Sequence, residues 1–270
     1  MSPSVAVVAV VSVVRGRRDH LAQQERSLQR QDAAHLRVVV SLGDPDVEGP
    51  HVVAVAVPEG DALPLAAGRN AGAARAEELG ATTLVFLDVD CLAGAGTVAA
   101  YAAAVRHEPR TVWSGPVTYL TEQDRPYPLD DLQRLDRPHP ARPAPGPGQR
   151  WHQDTWELFW SLSFATSTAA WHTIGGFDEA YRGYGAEDTD FGQRAKAAGL
   201  RLGWLGDARA YHQHHPTQDP PVQHLHDVVR NARTFHDRWG WWPMSGWLSA
   251  FEARGLVRRV QDDWVVMEAR

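Results

Sequence analysis

Three valine-rich runs, at residues 5–14, 36–41 and 52–57, alternate with segments of helical spacing. A run of valines offers no polar side to water, so such a strand belongs inside a sheet covered on both faces. Covering both faces requires helical crossovers between parallel strands. The pattern therefore predicts an α/β fold with a mostly parallel central sheet flanked by helices. Further strands are expected at 83–87, 111–114, 202–205 and 210–212, with a short segment near Phe164. Helices are expected at 19–31 (Leu21 and Leu28 on one face), 65–79, 96–107, 189–198 before Gly199, and 222–239.

A chain of 270 residues suits one domain, with at most a modest appendage. Between residues 121 and 150 prolines recur at 126, 128, 138, 140, 143, 145 and 147, a density that no helix or interior strand survives. A connector of this length is expected to be either functional or a disordered insertion. Three tryptophans, Trp151, Trp156 and Trp160, follow it at once. In the functional case the segment acts as a flap over donor or acceptor, with Trp151, Trp156 or Trp160 lining the acceptor side; in the other the tryptophans pack in the core.

Composition narrows the function. With 27 basic and 33 acidic residues the formal charge is -6, which disfavours a general nucleic-acid binder. The single cysteine, Cys91, leaves no intramolecular disulfide and no Cys-rich zinc site. The run 5–14 has the length of a signal peptide core, but no Lys or Arg precedes it and Arg15, Arg17 and Arg18 follow it. No run approaches the ~18 apolar residues of a membrane span. The expectation is a cytoplasmic protein.

The sharpest local feature is Val85-Phe86-Leu87-Asp88-Val89-Asp90, a strand ending in two acids. At the carboxyl end of a parallel strand such acids face the crevice where α/β folds bind ligands, and they suit a hard cation shared with phosphate. Alternation along a strand would put both carboxylates on one side. An isolated Asp-x-Asp more often solvates a turn. A second acidic cluster, Gly183-Tyr184-Gly185-Ala186-Glu187-Asp188-Thr189-Asp190-Phe191, follows Gly175-Gly176-Phe177-Asp178-Glu179. It opens a helix, whose dipole favours ionised acids. A carboxylate held in a cleft is a candidate general base, although Asp188 or Thr189 would also serve as an ordinary cap. No His-Glu-x-x-His, Walker loop or dinucleotide fingerprint occurs.

Asp88-Val89-Asp90 together with residues 175–191 resembles the family 2 glycosyltransferases of the GT-A fold. The Gly-x-Gly-x-Glu-Asp segment is also similar to β-1,4-galactosyltransferase and chondroitin-polymerase domains. Ala67-Gly68-Arg69-Asn70-Ala71-Gly72 resembles the family's Ala-Arg-Asn-x-Gly segment. The resemblance implies a single GT-A-like, Rossmann-type domain over residues 1–270. It divides into a nucleotide-sugar-binding half (1–115), the Pro-rich loop (116–150), an acceptor and catalytic half (151–240) and a C-terminal extension (241–270).

The implied activity is metal-dependent, inverting transfer of a sugar from a nucleoside-diphosphate sugar, a UDP-sugar first among them, to an acceptor hydroxyl. Asp90 would hold Mn2+ or Mg2+, with His212 as the late histidine of the metal site and His214 in reserve. Asp88 and Arg69 would contact the donor. Asp188 would be the base, and Glu187 would bind sugar hydroxyls. The chain departs from the family where paired acids are usual, at Ser41-Leu42-Gly43-Asp44-Pro45-Asp46, and Asp44 is the substitute for contacting the base. Arg15, where the family has Pro-x-Tyr-Asn, would lie against the nucleotide. The alternatives are a non-catalytic sugar- or nucleotide-binding relative and a sugar nucleotidyltransferase.

Overall fold

The computed structural model describes residues 6–49 and 51–267. Val5, the start of the first expected strand, lies outside them. The chain runs β1 (Val8–Val14), α1 (Arg18–Leu28), β2 (Leu36–Leu42), β3 (Val52–Val55), α2 (Leu65–Glu78), β4 (Thr83–Leu87), β5 (Cys91–Ala93), α3 (Thr97–His107), β6 (Thr111–Ser114) and β7 (Val117–Tyr119). It continues with β8 (Arg150–Gln153), β9 (Ser163–Ser167), α4 (Thr168–Ile174), α5 (Glu187–Ala197), β10 (Arg201–Leu205), β11 (Ala210–His212), α6 (Leu225–Trp239), α7 (Ser245–Ala253), β12 (Val257–Val260) and β13 (Asp263–Val266).

The central sheet has eight strands in the order β3-β2-β1-β4-β9-β6-β10-β8. Strand β9 is antiparallel to both neighbours, β4 and β6, and β8 is antiparallel to β10. The two reversals around β9 cancel, so β3, β2, β1, β4, β6 and β10 all point the same way and present their carboxyl ends to one edge. The chain leaving β4, β6 and β10 at that edge forms β5, β7 and β11, which pair as a second, three-stranded sheet in the order β5-β11-β7. This small sheet holds residues from three separate crossovers together beyond the main strands.

Helix α2 lies close against the main sheet because its inner face is small: Ala66, Gly68, Gly72, Ala73 and Ala76 are buried. A Cβ on Gly72 would come within 2.4 Å of Val11 Cγ1, so only glycine permits this approach. Between this face and the later helices lies an aromatic core. Phe86 stacks on Phe164 at 4.7 Å and Phe177 on Phe191 at 4.5 Å, joined by Trp171, Phe159 and Trp156. The other face is covered by α3 through Val98, Tyr101, Ala104 and Val105. Helices α6 and α7 and the β12–β13 hairpin form a separate cluster around Val228, Ala232, Leu248, Phe251 and Trp264.

The Pro-rich segment holds only two short 3-10 turns, Glu122–Asp124 and Leu132–Leu135. It is nonetheless tied down. Leu132 packs with Leu92, Leu120 and Tyr211, Asp136 pairs with Arg209 at 2.5 Å, and the Pro145 carbonyl accepts from Arg209 at 3.1 Å. Among the described residues no helix is long and apolar enough to cross a membrane.

Candidate active site

The residues Asp88-Val89-Asp90 stand just past β4 in a turn closed by the Cys91 amide donating to the Asp88 carbonyl at 2.7 Å. Strand alternation, the expected reason for a common orientation, therefore does not apply to them. The two carboxylates face different partners. Asp88 Oδ1 accepts from Arg69 Nη2 at 3.1 Å, whereas Asp90 lies 3.5 Å from His212 Nε2 and 3.4 Å from His215 Nε2.

Arg69 reaches the site from α2. Its other terminal nitrogen, Nη1, donates to Glu187 Oε1 at 3.2 Å, and its guanidinium lies over the Phe177 ring at 5.1 Å. The neighbouring Asn70 clamps the same segment: its Nδ2 donates to the Phe177 carbonyl and its Oδ1 accepts from the Phe177 amide, at 2.9 and 2.8 Å. A Cβ on Gly176 would meet Asn70 Oδ1 at 2.7 Å, and its φ of 68° is itself left-handed, so the close clamp requires glycine there. The Arg-Asn pair and the Gly-Gly-Phe turn are thus two halves of one junction.

Helix α5 starts at Glu187, two residues before the expected 189, and so puts Glu187 and Asp188 in its first turn. Asn231 fixes the approach to that turn by donating to the carbonyls of Arg182 and Gly185, each at 2.9 Å. Asp188 accepts from the Thr189 amide at 2.7 Å and from the Ser161 amide. Glu187 is 7% exposed and spoken for by Arg69, whereas Asp188 is half-buried.

The charges are crowded. Burial, with repulsion from Asp188 and against the attraction of Arg69, pushes the Glu187 carboxyl up to about 7. Burial, opposed by Arg69 and aided by Asp90, pushes Asp88 up to about 6. Asp188 is also raised by burial, against Arg69 and the amides that bond it. Asp90 goes the other way: although burial works against it, the His215 hydrogen bond and the charge of His212 hold it at about 2. Burial lowers the His212 imidazole, against the attraction of Asp90.

Asp90, His212 and His215 offer one ligand atom each, all within 4.8 Å of one another. One carboxylate and two imidazoles form a donor set that could hold a divalent metal ion. The grouping includes His215 in place of His214, whose backbone amide instead donates to Tyr127 Oη at 2.9 Å. A turn explains the choice: β11 ends at His212, and the chain then turns so that the third residue on closes over Asp90. The Gln213 amide, donating to the Asp90 carbonyl at 2.6 Å, fixes that turn.

Other expected residues are dispersed. Asp44 takes the Gly16 amide at 3.2 Å and Arg18 at 3.3 Å, beside the ends of β1 and β2, and exposed Arg15 donates to the Leu42 carbonyl at 2.6 Å. Both lie at the carboxyl edge, on the α2 side of Asp88. Of the three tryptophans, only Trp160 approaches the site, through His139 at 5.3 Å. Trp156 is 1% exposed within the aromatic core, so it has no surface to offer an acceptor. Trp151 lies on the edge strand β8 opposite Trp204, and among the described residues it stacks on no ring of the site.

Two residues were not anticipated from the sequence. Tyr184 is 39% exposed and stacks on His224 and Trp247 at the rim beside Asp188. Asp190, fully buried, receives Arg194 and Arg238 at 2.7 Å each and Trp239 at 3.0 Å, and so pins α5 to α6. The signal for Asp190 was present as an acid four residues before Arg194 on one helix face.

Residues 150–216 match the family described as N-terminal domain of galactosyltransferase. Two validoxylamine A glucosyltransferases, from Streptomyces hygroscopicus subsp. jinggangensis (strain 5008) and subsp. limoneus, are each 31% identical over 51% of this chain. The match covers 36% and 34% of those proteins, so the chain spans about a third of the length of these curated relatives. The structure of S. aureus TarS 1-349 superposes with a TM-score of 0.56 at 14% identity, covering 90% of this chain and 74% of that one. GalNAc-T7, crystallised with UDP, GalNAc and Mn2+, gives 0.54 at 13% identity, covering 79% and 45%. The sheet order and the two superpositions agree on the fold: the chain has the α/β fold of GT-A glycosyltransferase structures, with the Asp90 and Glu187 clusters at the carboxyl edge of its main sheet.

Proposed function

We propose that the chain transfers a sugar from a nucleoside-diphosphate donor to an acceptor hydroxyl with inversion at the anomeric carbon, using manganese. The observation that supports this reading is the arrangement at one edge: a trio around Asp90 that could hold a cation, and a separate, half-buried carboxylate, Asp188, held in place by backbone amides. Asp90, His212 and His215 hold the cation. When bound, it neutralises charge growing on the departing diphosphate.

The chain's own residues do the rest. Arg15 and Asp44 flank the nucleotide at the ends of β1 and β2. Arg69 holds Asp88 and Glu187 in one arrangement, so the donor's ribose and sugar hydroxyls meet preset acceptors. Asp188 accepts the proton of the acceptor hydroxyl as the oxygen attacks the face opposite the leaving group; a single displacement gives a single inversion. The Ser161 and Thr189 amides aim its carboxylate. Tyr184 and Trp160 supply flat faces for sugar rings.

The fold is shared with GalNAc-T7, whose structure contains UDP and Mn2+, which supports a UDP-sugar as the first donor to try. The test is a panel of UDP-, GDP- and dTDP-sugars, with and without manganese, read by nucleoside diphosphate release. Release from one donor only in manganese is the expected result. No release from any donor, with or without acceptor, would favour a non-catalytic binding relative.

A further inference from the structure

Arg142 stands in the Pro-rich segment, yet it is only 5% exposed, and its Nε, Nη1 and Nη2 find no hydrogen-bond partner among the described residues. A buried guanidinium without partners costs several kcal/mol of desolvation. Two indoles return part of that: the guanidinium lies over Trp160 at 5.2 Å and over Trp204 at 4.9 Å. The rings meet its faces. Its five N–H groups, which lie in the plane, stay unused, and that planar fork matches a carboxylate or phosphate.

Its location indicates which substrate brings the anion. Tyr119 stacks on the metal-site His212 at 4.7 Å, His139 follows Tyr119 at 5.4 Å, Trp160 follows His139 at 5.3 Å, and Arg142 closes the row. Tyr119 is 40% exposed, so the row has an open flank for stacking sugar rings. Trp204 belongs to β10, three strands beyond β4 in the sheet. Arg15, Asp44 and Arg69 lie at the other side of β4, so Arg142 is on the side away from the nucleotide. Asp188 is near enough for its charge to act on Arg142.

We propose that Arg142 anchors an acceptor subsite for an anionic group, and that the acceptor of this glycosyltransferase is accordingly an acidic sugar bearing a carboxylate or a phosphate ester. This rests on the transferase reading above. The anion caps the guanidinium while the acceptor's rings lie along Tyr119, His139 and Trp160, with the reacting hydroxyl toward Asp188.

The experiment titrates methyl β-glucuronide, glucose 6-phosphate and neutral methyl β-glucoside into the full chain with manganese and UDP, followed by tryptophan fluorescence, since two indoles flank Arg142. At least one acidic probe should bind about tenfold or more tightly than the neutral one. Arg142→Met should reduce that preference to within about twofold and Arg142→Lys should keep part of it, with UDP affinity unchanged in both. Equal binding of acidic and neutral probes, or a preference that survives Arg142→Met, would overturn the proposal while nucleotide binding stood. Competition between the acidic probe and UDP would overturn it by assigning the anion to the donor. If UDP, GDP and dTDP all failed to bind in manganese, the transferase reading would fall, and the proposal with it.

Discussion

Arg69 Nη1 lies 3.2 Å from Glu187 Oε1, a contact between residues 118 positions apart, with the two side chains 7% and 10% exposed. It joins the helix that packs on the nucleotide-side strands to the helix that carries the proposed base. Removing the cation would leave Asp88 and Glu187 facing each other across a buried site. Arg69→Met should therefore lower stability by about 3 kcal/mol, the range seen when one partner of a buried pair is lost. Chemical denaturation of the two proteins checks it.

Glu187 also predicts a pH dependence. Its folded-state value of about 7 lies above the usual 4.5, so between these values the folded state binds more protons than the unfolded one. Stability from this group is therefore greatest below about pH 4.5 and falls as pH rises to about 7. Glu187→Gln should flatten that part of the stability profile, and at pH 8 it should equal or exceed the parent. Melting temperatures at half-unit steps from pH 5 to 8 give the comparison, and a variant whose profile keeps the parent slope would contradict the assignment.

Asp188 is aimed by amides and, among the described residues, makes no hydrogen bond to Asp90, His212 or His215. Asp188→Asn should bind donor and manganese as the parent does yet transfer at least roughly a hundredfold more slowly. Rates at saturating donor and acceptor separate this from a binding defect. If Glu187→Gln, and not Asp188→Asn, abolished turnover, the two roles would be exchanged.

The tryptophans divide by burial. Trp156→Ala should cost about 3–5 kcal/mol, because it opens a cavity beside Phe159 in the aromatic core. Trp151→Ala, on an exposed edge, should change stability by less than about 1 kcal/mol and leave transfer unaltered. Trp160→Ala should raise KM for the acceptor with little effect on donor binding.

The strands beside the nucleotide side of the fold were readable because they are valine-rich, largely apolar runs. Strands β5 and β7 were harder. Like β11, which was expected at 210–212, they are three-residue pieces without a period of their own, and they exist because three crossovers meet beyond the carboxyl edge. Asp90 and His212 were legible as types, but the choice between His214 and His215 depends on a turn that the Gln213 amide closes on Asp90. Trp156 and Trp160 look equivalent in sequence. Only the 3-10 turn Trp156–Leu158 separates them, sending one into the core and the other toward the site.

The central claim is that Asp90 organises a manganese-dependent donor site without itself contributing to the core. Calorimetric titration of UDP, or of whichever nucleoside diphosphate the donor panel selects, into parent and Asp90→Asn, each with and without manganese, tests it most directly. The account predicts tight binding only for the parent in manganese, with Asp90→Asn folded and at least about tenfold weaker. Manganese-dependent binding of undiminished affinity by a folded Asp90→Asn protein would contradict it.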